Sequence, residues 1–317
     1  MYKFIVFFAV TFLLLKEAAS QVQYPYPLKY VNLVIESRQV QMAYMDVRPP
    51  DSTTKKTVLL LHGKNFNGYY WKGVIPLLTA AGYRVIIPDQ VGWGKSDRSN
   101  LHYSFHLLAN NTKLLLQSEG VNKVVVLGHS MGGMLAIRFA LMFPQLTEKL
   151  ILENPIGLED YKTFVPYQTI DSLIKKEQSA TYESYKKYQQ SYYPIWQPQY
   201  EQYVAAQTAD LRRADIDSIA YVNAITYQMI YEQPVCYELD RISVPTLLVI
   251  GQADRTVVGK DKLSDTDKKI YGNYPLLGKL ARQKIKGSVL KPLDAVGHIP
   301  HIQDLDLFWA AITDWIK

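Results

Sequence analysis

Short, uninterrupted apolar runs recur along this chain: Val58–Leu61, Val85–Ile87, Val124–Leu127, Leu150–Leu152 and Thr246–Ile250. They show no polar alternation, which marks strands buried on both faces, as in a parallel sheet. Val31–Ile35 and Val40–Tyr44 read as two adjacent strands ahead of them, and Val289–Leu293 closes the series. Helical spacing fills the stretches between. Met131–Met142 is one such stretch, and it stops ahead of Pro144, which cannot continue a helix. The alternation predicts an α/β protein: a mostly parallel central sheet with helices on both faces.

The alternation stops between about Gly157 and Ile242. That stretch has no convincing strand run and is heavy in Tyr, Gln and Lys. It predicts a helical cap over residues 157–242, inserted into a core domain made of 21–156 and 243–317. Tyr182, Tyr185 and Tyr188 recur every three residues, a stripe expected to pack the cap onto the core rather than to touch a ligand. Tyr227 and Met229 are the residues expected to line a pocket from the cap's inner face. The start of the chain reads differently. Lys3 precedes an apolar run, Phe4–Leu15, broken only by Thr11, and Ala18-Ala19-Ser20 follows. This is the pattern of a signal peptide over residues 1–20. The run is shorter than the roughly 20 apolar residues of a membrane span. A mature chain beginning near Gln21, secreted or periplasmic and with no membrane span retained, is the expectation.

Composition narrows the function. Of 317 residues, 48% are hydrophobic and 20% charged, values of a packed globular protein. The net charge of +6 is spread along the chain with no run of like charges longer than a pair, so no nucleic-acid partner is expected. Cys236, the single cysteine, excludes an internal disulfide and a cysteine metal cluster. His298 and His301 lack a third ligand nearby, so no metal is expected. No G-x-G-x-x-G follows a first strand, so no dinucleotide or other cofactor is expected.

The chemistry lies elsewhere. Gly128-His129-Ser130-Met131-Gly132 follows an apolar strand run and opens an apolar helix, the setting of a nucleophile elbow with Ser130 at its tip. A serine hydroxyl needs a base. His298, just past the last strand and behind Gly297, is the candidate, with His301 the rival three residues on. His62 and His129 read as structural. A carboxylate must fix the base's tautomer. Asp254 follows the Thr246–Ile250 strand and fills that place, with Glu153 the alternative from a neighbouring strand. For an oxyanion hole, Met131 supplies one backbone N–H and Lys64 the second, with Asn65 next in line. The Lys64 side chain reads as a solvated charge. Asp89 is expected to tie loops together.

The order Ser130, Asp254, His298 resembles that of the α/β-hydrolase superfamily, in its esterase-like branch with a helical cap. The resemblance runs over residues 28–317. It rests on His62-Gly63, Asp89 with Gly92 and Gly94, Gly128 to Gly132, Asp254 and Gly297-His298. It implies the α/β-hydrolase fold and a Ser-His-Asp triad, and leaves the substrate open. Epoxide hydrolases and dehalogenases of this fold have Asp at the elbow, where this chain has Ser130. The segments His62–Phe66 and Asn154–Asp160 look like those of a bacterial secreted subgroup. The expected activity is hydrolysis of a small to medium carboxylic ester, a small-molecule substrate, through an acyl-enzyme. A small aminopeptidase of the same fold and a ligand-binding module are the alternatives.

Overall fold

The continuous apolar runs are strands with a hydrophobic layer on each side. In the computed structural model, Leu59 and Leu61 of one strand enter one core while Val58 and Leu60 enter the other. Leu248 and Ile250 are divided from Leu247 and Val249 in the same way. Successive side chains point to opposite faces, so a strand covered twice has no polar positions. The structure describes residues 23–50, 54, 56–212 and 215–317. The leader expected over residues 1–20 lies outside the described residues.

The strands are β1 Leu28–Ile35, β2 Arg38–Val47, β3 Thr57–Leu61, β4 Arg84–Pro88, β5 Val124–His129, β6 Thr147–Glu153, β7 Thr246–Gly251 and β8 Val289–Leu293. They form one sheet in the order β1-β2-β4-β3-β5-β6-β7-β8. β2 pairs antiparallel with β1 and with β4, and the remaining pairs are parallel. The β1–β2 hairpin turns on Glu36 and Ser37, both at positive φ (50° and 63°), the backbone a tight two-residue hairpin requires. β8 lies at the sheet edge, where its Pro292 removes no needed donor.

The helices ahead of β6 are α1 Val74–Ala80, α2 Phe105–Ser118 and α3 Met131–Met142. Between β6 and β7 come α4 Ile170–Gln178, α5 Tyr182–Gln190, α6 Glu201–Thr208 and α7 Ile216–Glu232. After β7 come α8 Asp267–Ile270, α9 Tyr274–Lys284, α10 Pro300–Gln303 and α11 Leu305–Ile316. α2, α3 and α9 cover one face of the sheet, α1 and α11 the other. This is the α/β-hydrolase fold expected from the pattern. The chain between β6 and β7 is helical, with α4 packed on α7 and α5 on α6. Among the described residues, no helix is long and apolar enough to cross a membrane.

Candidate active site

Ser130 sits between β5 and α3 at φ 57°, ψ −121°, a conformation that costs a non-glycine residue about 1–3 kcal/mol. The surroundings hold it there. Its N–H donates to the Glu153 carbonyl and its own carbonyl accepts from Ile156 and Gly133. The turn also requires its glycines: a Cβ on Gly128 would lie 2.2 Å from the Gly132 carbonyl, and one on Gly132 2.1 Å from that of Leu61.

His298 Nε2 lies 3.0 Å from Ser130 Oγ, and its Nδ1 lies 2.7 Å from Asp254 Oδ2. All three side chains are buried. Asp254 accepts further bonds from Asn154 Nδ2 at 2.5 Å and from the Thr256 N–H at 2.8 Å. Burial alone would push the Asp254 carboxyl up. The charge and hydrogen bond of His298, with Asn154 and Thr256, outweigh it and hold the group below the usual carboxylate range. A carboxylate held ionised fixes the proton of His298 on Nδ1 and leaves Nε2 free to accept from Ser130.

Gly297 is needed for a close approach of the chain. A Cβ there would lie 2.1 Å from the Tyr192 carbonyl, so the glycine lets the β6–β7 insertion approach. That carbonyl accepts the His298 N–H at 2.7 Å, and the Tyr192 ring stacks on the imidazole at 4.8 Å. The insertion thus lies directly on the base.

On the far side of Ser130, His62 Nε2 accepts the Gln90 N–H at 3.0 Å. Its proton is therefore on Nδ1, which donates to the Gly63 carbonyl at 2.9 Å. The Phe66 N–H donates to the same oxygen. That carbonyl belongs to the peptide whose other side is the Lys64 N–H. In a trans peptide the two point in opposite directions, so pinning the carbonyl aims the Lys64 N–H. A Cβ on Gly63 would lie 3.2 Å from Ser130 Cβ, which places this peptide against the serine. Met131 opens α3, so its N–H is one that the helix itself cannot satisfy. Both are backbone donors of the kind an oxyanion hole uses.

Glu153 and His301 form a separate pair. The Glu153 carboxyl accepts the His301 N–H at 2.9 Å and meets His301 Nδ1 at 2.9 Å and 3.0 Å. Burial pushes Glu153 up to about 7 and His301 well below its ordinary value. His301 Nε2 finds no partner among the described residues, and its ring stacks on Trp71 at 4.2 Å. The structure therefore separates the rival acid and base from Ser130. His129 is structural, as expected: Tyr70 Oη meets its Nδ1 at 2.8 Å, and its Nε2 donates to the His298 carbonyl at 2.8 Å. The same Tyr70 oxygen accepts the Gly63 N–H at 3.0 Å, which ties the Lys64 loop to the His298 loop. Asp89 ties loops too, accepting from the Gly68 and Lys95 N–H groups.

The residues expected to line the pocket fare differently. Met229 is 2% exposed and packed in the core, which corrects its expected place in a pocket wall. Ile216, Ile219, Ala220 and Asn223 of α7 line a cavity beside Lys64. Tyr227 lies one turn further along that stripe, and its hydroxyl accepts from Gln168 Nε2 at 2.8 Å. Of the tyrosine stripe, Tyr182 hydrogen bonds to Glu201 of α6, Tyr185 lines the same cavity and Tyr188 is 40% exposed. Asn154 and Tyr192 went unpredicted. Only the Asn-Pro step after β6 hinted at the first.

A strained serine between strand and helix, with this sheet order, defines an α/β hydrolase. The chain belongs to that family. The pattern of the α/β hydrolase fold family matches residues 56–186. A solved structure from Pseudomonas aeruginosa, described as a probable hydrolytic enzyme, is 42% identical, superposes with a TM-score of 0.91, and pairs 93% of this chain with 96% of that one. The 2-hydroxy-6-oxononadienedioate/2-hydroxy-6-oxononatrienedioate hydrolase of Paraburkholderia xenovorans is 30% identical over 250 residues, which is 72% of this chain and 80% of that protein. An uncharacterized Mycobacterium tuberculosis protein is 41% identical over 101 residues, 32% of this chain, and the chain spans 29% of its length.

Proposed function

We propose that this protein is a serine hydrolase that cleaves a carboxylic ester through an acyl-enzyme. The observation that carries the proposal is the chain of contacts from Ser130 Oγ through His298 to Asp254, at 3.0 Å and 2.7 Å. As Ser130 Oγ attacks the ester carbonyl carbon, its proton passes to His298 Nε2. The Lys64 and Met131 N–H groups stabilise the tetrahedral oxyanion. When the C–O bond breaks, His298 returns that proton to the departing alcohol. Water then attacks the acyl-serine and gives a proton to His298, which passes it back to Ser130 Oγ as the carboxylic acid leaves. Binding alone would not require this alignment, which favours turnover over a ligand-binding role.

The same machinery could start on a ketone instead of an ester, and the 30% identity to a hydrolase of 2-hydroxy-6-oxononadienedioate favours that second reading. The test is a p-nitrophenyl butyrate assay run beside an aminoacyl anilide and that oxo-dienedioate, on wild type and Ser130→Ala. Ester turnover that drops on the order of 10⁴-fold or more in the variant, with an unchanged circular dichroism spectrum, is expected. Near wild-type ester turnover by Ser130→Ala would refute the assignment, and turnover of the dienedioate alone would install the second reading.

A further inference from the structure

The cavity beside Lys64 is polar. It has a volume of about 50 Å³ and is walled by Lys64 and Asn65 of the oxyanion loop, Trp93, and Glu177, Tyr185 and Asn223 of the insertion. Among the described residues that wall it, the charged ones are Lys64, Arg98 and Glu177. Glu177 Oε2 is already engaged by Asn223 Nδ2 at 3.0 Å and Tyr185 Oη at 3.3 Å. Lys64 differs from these. It is half-buried, and among the described residues its ammonium has no hydrogen bond and no carboxylate within ion-pair distance. Burial lowers it from the usual lysine range, with Glu177 opposing and Lys176 adding to the effect. Lys64 Nζ is not among the buried atoms that lack a partner, so the ammonium stays open to the cavity, where an anion can reach it.

The position of this residue tells what arrives. In the ester-hydrolase reading the backbone N–H of Lys64 faces the carbonyl bound at Ser130, and the same residue walls the cavity, its ammonium within the influence of Glu177. A group held by the ammonium therefore sits about one lysine side chain away from the reacting carbon. Building on the ester-hydrolase reading, we infer that the substrate carries a carboxylate at that distance from the scissile bond and that Lys64 Nζ is its counter-ion. The substrate class is then a half-ester or similar acyl compound with an anionic end, rather than a neutral aliphatic ester. Trp93 Nε1 donates to the Lys64 carbonyl at 2.6 Å, which holds the backbone from which the ammonium is presented.

The test measures binding, so it does not depend on turnover. In full-length Ser130→Ala protein, calorimetry would give Kd for mono-p-nitrophenyl glutarate and for p-nitrophenyl valerate, its neutral counterpart. Tighter binding of the glutarate is expected. Adding Lys64→Met should weaken the glutarate roughly tenfold or more relative to the valerate, the scale of a charge-assisted contact. Lys64→Arg should keep the preference, and Glu177→Gln, which removes the opposing charge, should increase it. No preference for glutarate, no binding of either ester, or equal weakening of both in Lys64→Met and Glu177→Gln alike would overturn the inference. The last outcome would mark Lys64 and Glu177 as a latch between loop and insertion. Failure of wild type to hydrolyse either ester would sink the ester reading alone, since the binding preference is measured separately.

Discussion

Replacing Glu153 by Gln tests what the buried carboxyl beside His301 is. The side chain has no exposure and is pushed up to about 7, mainly by burial, from an ordinary value of 4.5. His301 is pushed down, so the pair is a neutral imidazole donating to a carboxyl rather than an ion pair. Below pH 4.5 the carboxyl is protonated in the folded and the unfolded chain, and it contributes no pH dependence. Between pH 4.5 and about 7 the folded chain holds a proton that the unfolded chain has lost, so stability falls as pH rises. Above that both states are ionised and the full cost stands. At about 1.4 kcal/mol per pH unit, the interval amounts to about 3 kcal/mol. Gln keeps an acceptor for the His301 N–H and cannot ionise. Glu153→Gln should therefore match wild type within about 1 kcal/mol at pH 5 and exceed it by about 2–3 kcal/mol at pH 8. Urea unfolding of both proteins at the two pH values reads this directly, because every other titration is common to the pair. A variant several kcal/mol less stable than wild type at pH 8 would show that Glu153 and His301 are both charged, and would refute the reasoning.

Asp254→Asn should lower kcat for p-nitrophenyl butyrate by about 10⁴-fold, since the amide favours the wrong imidazole tautomer, whereas His301→Gln should cost less than tenfold; the reverse ranking would move the acid to Glu153. Asn154→Ala removes the donor to Asp254 and strands the Gly251 N–H now bound to Asn154 Oδ1 at 2.9 Å, a loss of about 1–3 kcal/mol in urea unfolding at pH 7. The depressed Asp254 contributes stability that is present above its unfolded value near 3.8 and lost as pH falls through its folded one. With Asn154 gone the depression shrinks, so acid unfolding should begin at a higher pH than in wild type; an unchanged acid transition would show that Asn154 does not tune this carboxylate.

What the sequence disclosed, and what it hid, follows from the range of the interactions. Strands buried on both faces leave a local mark, and so does an elbow that excludes side chains at Gly128 and Gly132. Asp254 was visible because it follows an apolar run at a strand end, and His298 because it stands just past the last strand behind Gly297. Asn154 left almost no mark. Its Asn-Pro step suits any turn, and its importance arises only because β6 lies beside β7, with Glu153 opposite Val249, so that the residue after β6 reaches Asp254. Tyr192 was hidden for the same reason: a carbonyl arriving from the insertion gives no sign at Gly297. In α7 the sequence offered Tyr227 and Met229 together, but it could not tell which face turned toward the cavity: Asn223 walls it, while Met229 is packed in the core.

The two histidine–carboxylate pairs show where reading residue types stops being enough. Glu153 ends β6 and Asp254 follows β7, the strands are neighbours, and the histidines lie three residues apart. Each carboxyl meets an Nδ1 at a similar distance, 2.7 Å for Asp254 and 2.9 Å for Glu153. What separates them is the other end of each ring. His298 turns Nε2 to Ser130 Oγ, while His301 has no partner at Nε2 among the described residues and lies flat on Trp71. The carboxyls differ as well. Asp254 has donors from Asn154 and Thr256 that keep it ionised, whereas Glu153, among the described residues, has only His301 and a dry surrounding that favours its proton. Only a base that can both reach a hydroxyl and lean on a fixed negative charge can take a proton from serine, and of the two only His298 does both.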